Sequence, residues 1–169
     1  MDLRYEHLIR INDGGEPSIA VLSRAELWRG IVLRAARPEL FDAGIDETRM
    51  LSETRSQMVR EVRRGSAVVT ERVDLVAETA ATLTVVSGTS LAGSTLELRI
   101  EEPAPAALFV RFIYELRGAD VPEAEADRQA LKQAYYFADI EAVQHIRSIA
   151  ERERAESPAR PVTAESAGH

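Results

Sequence analysis

Two charged side chains interrupt an apolar strand face and are the first candidates for chemistry in this sequence. They flank the turn-like segment "RRGSA", which separates two stretches of alternating residues. A two-residue turn at Arg64 and Gly65 would place Arg60 opposite Val69 and make Arg60 and Glu71 diagonal neighbours. The remaining residues of that face are apolar: Met58, Val62, Ala67, Val69, Val73 and Leu75. An unpaired charge on such a face is costly, so each of the two needs a partner or water.

Two interpretations of Arg60 and Glu71 stay open. In the first, they anchor a carboxylate, carbonyl or phenol of a ligand inside a cavity. In the second, they form a partly solvated ion pair near the sheet edge and contact no ligand. The sequence favours the second, because a slip of one residue in the strand register would turn both side chains outward.

Three aromatic side chains are candidates for the lining of a pocket. Small-molecule sites are usually apolar, with a few hydroxyl groups that orient the ligand. Trp28, on the helical segment "LSRAELWRGIVLRAARPELF" (22–41), is favoured as a core residue rather than a ligand contact. Tyr114 and Tyr135 are more evenly balanced, since a buried hydroxyl needs a hydrogen-bond partner that a ligand or a cavity water could provide.

The histidines point to no metal site and only weakly to acid–base chemistry. His7 shares a strand face with apolar residues, and its ordinary pKa of about 6.5 suits proton transfer. No orienting carboxylate is evident near it, so a structural role is favoured for His7, as it is for His145. The three histidines have no ligand spacing and the chain has no cysteine, so we predict no metal and no cofactor. The segment "GTSLAG" (88–93) lacks the strand-to-helix context of a nucleotide-binding loop.

The composition restricts the classes of partner. The 169 residues fit one domain, and their net charge of -7 argues against binding to nucleic acid. No run of 18 apolar residues and no secretion signal is present, so we predict no membrane insertion. The absence of cysteine fits a cytoplasmic location. Homodimer formation is left open.

Local patterns predict the order of the elements. Alternation after the N-terminus predicts a first strand, and Ser23 with Glu26 forms a capping box that begins a helix of about three turns, which Pro38 ends. Residues 54–116 predict five or six antiparallel strands. A long helix follows at about 122–153, with Asp120 as its cap and Pro122 in its first turn.

The long helix carries a stripe of small residues. Alanines recur every four positions, at Ala130, Ala134, Ala138 and Ala142. Such a stripe lets a helix lie close to a sheet or leaves space beneath it, which adds Leu131 and Ala138 to the cavity candidates. The order of elements is α+β. We predict one domain over 1–150, and over 151–169 the end of the helix and a disordered tail.

This order and several segments resemble the START-like, or SRPBCC, superfamily, and within it the AtaL-like family of unassigned function. The resemblance covers about residues 1–150. It implies a helix-grip fold, in which a curved antiparallel sheet wraps around a long C-terminal helix, with two short helices after strand 1 and a cavity inside. The family has no agreed set of catalytic residues, so the resemblance implies no catalytic residue in this chain. The matching segments are "LSRAELWRGIVLRAARPELF", "VREV" (59–62), "LRIEEP" (98–103), "LFVRFIYE" (108–115) and "AYYFADIEAVQHIR" (134–147).

Three functions remain as alternatives. In the first, the cavity binds a small hydrophobic or aromatic molecule. In the second, it belongs to an enzyme similar to polyketide cyclases or dehydratases, with Arg60 polarising a carbonyl, Glu71 or His7 moving protons, and a tyrosine donating a hydrogen bond. In the third, the protein is an interaction module with a vestigial cavity. The ligand-cavity candidates are Trp28, Arg60, Glu71, Tyr114, Leu131, Tyr135 and Ala138.

Overall fold

The structure, a computed structural model, describes residues 2–12 and 21–157. Most of the predicted disordered tail falls on residues 158–169, outside the described residues. The observed order is one strand, one helix, a short 3₁₀ turn, six strands and one long helix. The elements are β1 (Leu3–Arg10), α1 (Arg24–Ala36), the 3₁₀ turn (Pro38–Leu40), β2 (Glu47–Glu53), β3 (Gln57–Arg64), β4 (Ala67–Val76), β5 (Ala80–Ser87), β6 (Thr95–Ala104), β7 (Ala107–Leu116) and α2 (Glu125–Glu156).

The strands form one antiparallel sheet that α2 packs against. Its seven strands lie in the order β1-β7-β6-β5-β4-β3-β2, so that the first strand pairs with the last. Alternate residues of each strand face the core, as the alternation in the sequence predicts. The α+β class, with a curved antiparallel sheet around a C-terminal helix, is confirmed. No helix among the described residues has the length and apolarity that a membrane span requires.

The capping box of α1 forms as predicted, but Trp28 lies at the edge of the buried face. The Ser23 side chain accepts a hydrogen bond from the Glu26 amide at 3.1 Å, and Glu26 accepts one from the Ser23 amide at 2.9 Å. Trp28 is half-buried and packs against the core from one side. The residues that α1 buries are Leu27, Gly30, Ile31 and Ala35.

The long helix begins three residues later than Pro122, the first-turn position that the sequence predicts. Its N-cap is Ala124, with no side-chain cap, and the predicted cap, Asp120, accepts a hydrogen bond from the Ser90 hydroxyl. Three alanines of the predicted stripe are exposed and only Ala142 is buried. The buried face of α2 consists of Asp139, Ala142, Val143, Ile146 and Ala150.

The register between β3 and β4 differs from the predicted one. The turn consists of Gly65 and Ser66, and Arg60 lies directly opposite Glu71 rather than diagonal to it. Gly65, the first residue of the turn, has a φ of +59°, which favours glycine and is typical of a type II′ hairpin. The error displaces the pairing by two residues, an even number, so every side chain keeps its predicted face.

The two helices touch at a glycine. A Cβ added to Gly30 would lie 2.4 Å from the Cγ2 atom of Ile146 on α2. A contact this close exists only without a side chain, so Gly30 allows α1 to approach α2. At the other end of the contact, Arg154 of α2 donates a hydrogen bond at 2.7 Å to Glu26.

Candidate functional site

A cavity of about 510 Å³ lies between the inner face of the sheet, α1 and α2. Its walls are mostly apolar because the inward-facing positions of the central strands carry aliphatic side chains. Its polar groups come from α1, α2, the strands β3, β4, β6 and β7, and the loops that carry Asp42 and Ser94. The apolar lining includes Ile31, Val62, Val73, Leu83, Leu96 and Leu98.

A buried carboxylate on α2 organises the polar end of this cavity. Asp139 is 1% exposed and lines the cavity together with Tyr114. Its Oδ2 atom accepts a hydrogen bond from the Tyr114 hydroxyl at 2.6 Å and lies 2.8 Å from Nε2 of His7. The interpretation of His7 as a histidine without an orienting carboxylate is therefore wrong. Asp139 is 132 positions away in the chain, so no local pattern relates the two.

Three tyrosines stack beside this carboxylate. Tyr114 lies between Tyr5 and Tyr135, with ring centroids 4.9 and 4.8 Å apart. Burial and the nearby charge of Asp139 raise the pKa of both Tyr114 and Tyr135 above the ordinary value for a phenol. Both hydroxyls therefore stay protonated at neutral pH, and that of Tyr114 donates to Asp139.

Arg60 and Glu71 form an ion pair in the cavity wall. The Nε and Nη2 atoms of Arg60 donate to one Glu71 oxygen at 2.9 and 2.7 Å, and the Arg60 side chain is 4% exposed. Nη1 of Arg60 donates to the carbonyls of Ala35 and Arg34, at the end of α1 where helical carbonyls lack partners. Burial lowers the pKa of Arg60, and Glu71 opposes that effect. The pair thus ties the sheet to α1.

Arg34 is a cationic cavity residue that the sequence analysis did not identify. Its side chain is 25% exposed, and its Nη2 atom lies 3.8 Å from Oδ1 of Asp139, beyond hydrogen-bond distance. No residue within 2–12 and 21–157 accepts a hydrogen bond from the Arg34 side chain. The signal that could have identified Arg34 in the sequence is its spacing. It follows the buried Ile31 by three positions, and residues three apart lie on the same face of a helix.

Most of the predicted candidates meet at this cavity, and two do not. Trp28 and Leu131 are absent from its lining and pack half-buried against the core. Ala138 lines the cavity but is exposed, which places it at the mouth. The candidates that line the cavity are Arg60, Glu71, Tyr114, Tyr135 and Ala138. Their roles as ligand contacts stay predictions.

No group of three potential metal ligands forms among the described side chains. The polar residues of the cavity therefore offer hydrogen bonds and charge, namely an acceptor at Asp139, a cation at Arg34 and phenolic donors. This arrangement can orient a small polar substituent of a bound molecule or exchange a proton with it.

Comparison with known sequences identifies one family. The family model described as AtaL, "Acetylaranotin biosynthesis cluster protein L", matches residues 9–153. None of the curated protein sequences compared matches the chain.

Comparison with solved structures finds the same fold at low sequence identity. The chain is similar to the ZhuI aromatase/cyclase from Streptomyces sp. R1128, with 12% identity, a TM-score of 0.62 and coverage of 92% of this chain and 96% of that one. Ara h 8.0201 has 14% identity and a TM-score of 0.60, with coverage of 88% and 99%. The di-domain ARO/CYC StfQ from the steffimycin biosynthetic pathway has 9% identity and a TM-score of 0.68, with coverage of 92% and 53%. These likenesses agree with the predicted helix-grip fold.

Proposed function

The chain belongs to the AtaL family, and on that premise we propose that its cavity binds a small hydrophobic or aromatic molecule. The observation that carries the proposal is the cavity of about 510 Å³, with apolar walls and a few polar groups at one end. Ligand pockets commonly measure about 300–1,000 Å³ and have this composition. A small polycyclic aromatic molecule would fit it.

The comparisons support a ligand of this type. The family description refers to a biosynthesis cluster, and one structural neighbour is named an aromatase/cyclase. The alternative of an interaction module gains less support, because the exposed large apolar side chains of the described residues are spread over several elements. They are Leu8, Val21, Leu40, Leu51, Val68, Val76, Val86, Tyr136 and Phe137.

A pair of matched variants tests the proposal. Ala138 lies at the cavity mouth, and Ala134, one turn earlier on α2, is equally exposed but outside the lining. Tryptophan at position 138 should obstruct the cavity and lower the affinity for the neutral fluorescent probe N-phenyl-1-naphthylamine at least about tenfold. Ala134→Trp should leave that affinity unchanged. The measurement is a fluorescence titration of each purified variant.

Thermal melting of both variants controls for loss of structure. An Ala138→Trp protein that melts like the wild type and still binds the probe with wild-type affinity would place the binding site outside this cavity and refute the proposal.

A second candidate function is a cyclase- or dehydratase-like enzyme that uses the same cavity. It is favoured by one observation, the buried carboxylate of Asp139 held by Tyr114 and His7. Such a carboxylate could remove a proton from a carbon next to a ligand carbonyl. Deuterium uptake into the methyl group of 2-acetonaphthone, followed by NMR with and without protein, separates this enzyme from a pure binding protein.

The proposal also includes a cytoplasmic location, and it leaves homodimer formation open. Light scattering of the purified protein would measure its molar mass in solution.

A further inference from the structure

Asp139 and Arg34 face each other across a gap inside the cavity. Both hydrogen-bond partners of Asp139 approach Oδ2, whereas Oδ1 accepts no hydrogen bond from the described residues. Nη2 of Arg34 is the nearest cationic atom, 3.8 Å from Oδ1. The cavity therefore presents one free acceptor oxygen beside a guanidinium with free N–H donors.

The charges around this gap favour a neutral ligand. A carboxylate or an ammonium group would disturb the pairing of charges in the cavity, and an unpaired charge away from water is costly. Glu141, the one charged residue of the described lining that has no arginine of the lining beside it, is exposed on α2. Each arginine of the lining lies beside one carboxylate: Arg60 beside Glu71, Arg64 beside Asp42, and Arg34 beside Asp139.

We propose that Arg34 and Asp139 form a subsite for a neutral aromatic ligand that carries an acceptor and a donor side by side, as a hydroxy ketone or a primary amide does. Arg34 donates to the carbonyl oxygen of the ligand, and Oδ1 of Asp139 accepts from its O–H or N–H group. Tyr114 and His7 position the carboxylate by holding Oδ2. This inference rests on the proposed function, because it names the ligand class of the same cavity.

Such a subsite rejects ligands that lack the donor. A ligand with only a carbonyl group would leave Oδ1 of Asp139 without a hydrogen bond in a space from which the ligand has expelled water. Sites built to form a hydrogen bond discriminate strongly against analogues that lack the group, since their own polar atoms are left unpaired.

Two nearly isosteric probes test this selectivity. 2-Naphthamide has a carbonyl and an adjacent N–H₂ group, whereas 2-acetonaphthone has a methyl group in place of the N–H₂. A purely apolar cavity would prefer the ketone, because the amide loses more hydration on burial. We expect the wild-type protein to bind the amide at least about tenfold more tightly than the ketone, measured by equilibrium dialysis.

Variants of α1 test the contact between Arg34 and the ligand carbonyl, which both probes carry. Arg34→Met should weaken the binding of both probes at least about tenfold, while Arg29→Met should leave both affinities unchanged. Arg29 is an exposed arginine of the same helix, paired with Glu153 at 3.5 Å. Arg34→Lys keeps a cation beside Asp139, and so protects the fold if the methionine variant is unstable. It lacks the planar fork of donors and should retain only part of the wild-type affinity for both probes.

The outcomes distinguish this inference from the proposed function. If the wild-type protein binds the ketone as tightly as the amide or more tightly, the subsite is refuted, while ligand binding in the cavity stands. If neither probe binds, the proposed function fails and the subsite fails with it. Wild-type affinity of folded Arg34→Met protein for both probes overturns the role of Arg34.

Discussion

Asp139 determines the polar geometry of the cavity, although its sequence surroundings do not reveal this. It lies in "YYFADIEAV" on a helix rich in charged residues, where an aspartate is usually solvated. Its partners Tyr114 and His7 are 25 and 132 positions away. Only the folded chain brings these residues together, so a sequence pattern could nominate His7 and Tyr114 separately but not the cluster.

Arg60 and its partner Glu71 were identifiable from the sequence as charges on an apolar face, whereas the partners of Arg60 on α1 were not. The alternation of β3 placed Arg60 correctly, since a strand has a period of two residues. Its bonds to the carbonyls of Ala35 and Arg34 depend on where α1 ends above the sheet. These bonds explain how a guanidinium that is 4% exposed is compensated.

A double-mutant cycle tests the pair of Arg60 and Glu71. Glu71→Gln should lower the free energy of unfolding by about 3–5 kcal/mol, because it leaves a buried guanidinium without its counter-ion. Adding Arg60→Met should recover part of this loss. Recovery should be incomplete, since the carbonyls of Ala35 and Arg34 then lose a donor. Denaturant unfolding of the four proteins measures the coupling energy.

The pair of Arg49 and Glu61 provides a matched control. These residues also lie directly opposite each other on neighbouring strands, 3.0 Å apart, but Arg49 is 66% exposed. Their coupling should be below about 1 kcal/mol. An equally small coupling for Arg60 and Glu71 would contradict the buried ion pair.

At the scale of elements, the sequence predicted the helices and most of the strands. It missed β2, which lies before the predicted run of strands at 54–116, and it misplaced the start of α2 and the register of one hairpin. The capping box was predicted correctly because its two residues, Ser23 and Glu26, are close together in the sequence. The start of α2 was misplaced: its N-cap is Ala124, and the predicted cap, Asp120, accepts a hydrogen bond from Ser90 of a distant loop. The hairpin register was wrong because glycine was placed second in the turn, although a type II′ turn requires it first at Gly65.

The contact between α1 and α2 gives a prediction at this scale. Gly30→Ala should destabilise the protein by about 1–3 kcal/mol, because its Cβ would collide with Ile146. This loss should exceed the gain of roughly 1 kcal/mol that alanine offers over glycine in a helix. Denaturant unfolding gives the net change.

The control is the same Gly30→Ala substitution in a protein that already carries Ile146→Ala. With Ile146 shortened to alanine, its Cγ atoms at 2.4 and 2.9 Å are removed and only its Cβ atom, at 3.1 Å, remains close. The same substitution at Gly30 should then lose most of its destabilising effect, while the helix preference for alanine remains. A destabilisation of similar size in both backgrounds would show that the contact between the helices is not its cause.

At the scale of the whole molecule, the order of elements predicted the α+β class, and the family resemblance implied the helix-grip fold with a cavity, but the lining of that cavity was predicted only in part. Antiparallel strands followed by one long helix allow few architectures. The alanine stripe of α2 was expected to face the sheet, yet three of its four members are exposed. The buried face of α2 begins only at Asp139. The space under α2 depends on the position of the helix relative to the sheet, which no local pattern determines.

NMR of protein labelled at leucine and valine methyl groups, titrated with N-phenyl-1-naphthylamine, tests ligand binding in this cavity most directly. We predict saturable shifts of the methyl signals of Val73, Leu83 and Leu96, which line the cavity. The signals of Leu8 and Val76, which are 41% and 60% exposed, should not move. Shifts confined to those exterior methyl groups, or no saturable shift at all, would contradict the account.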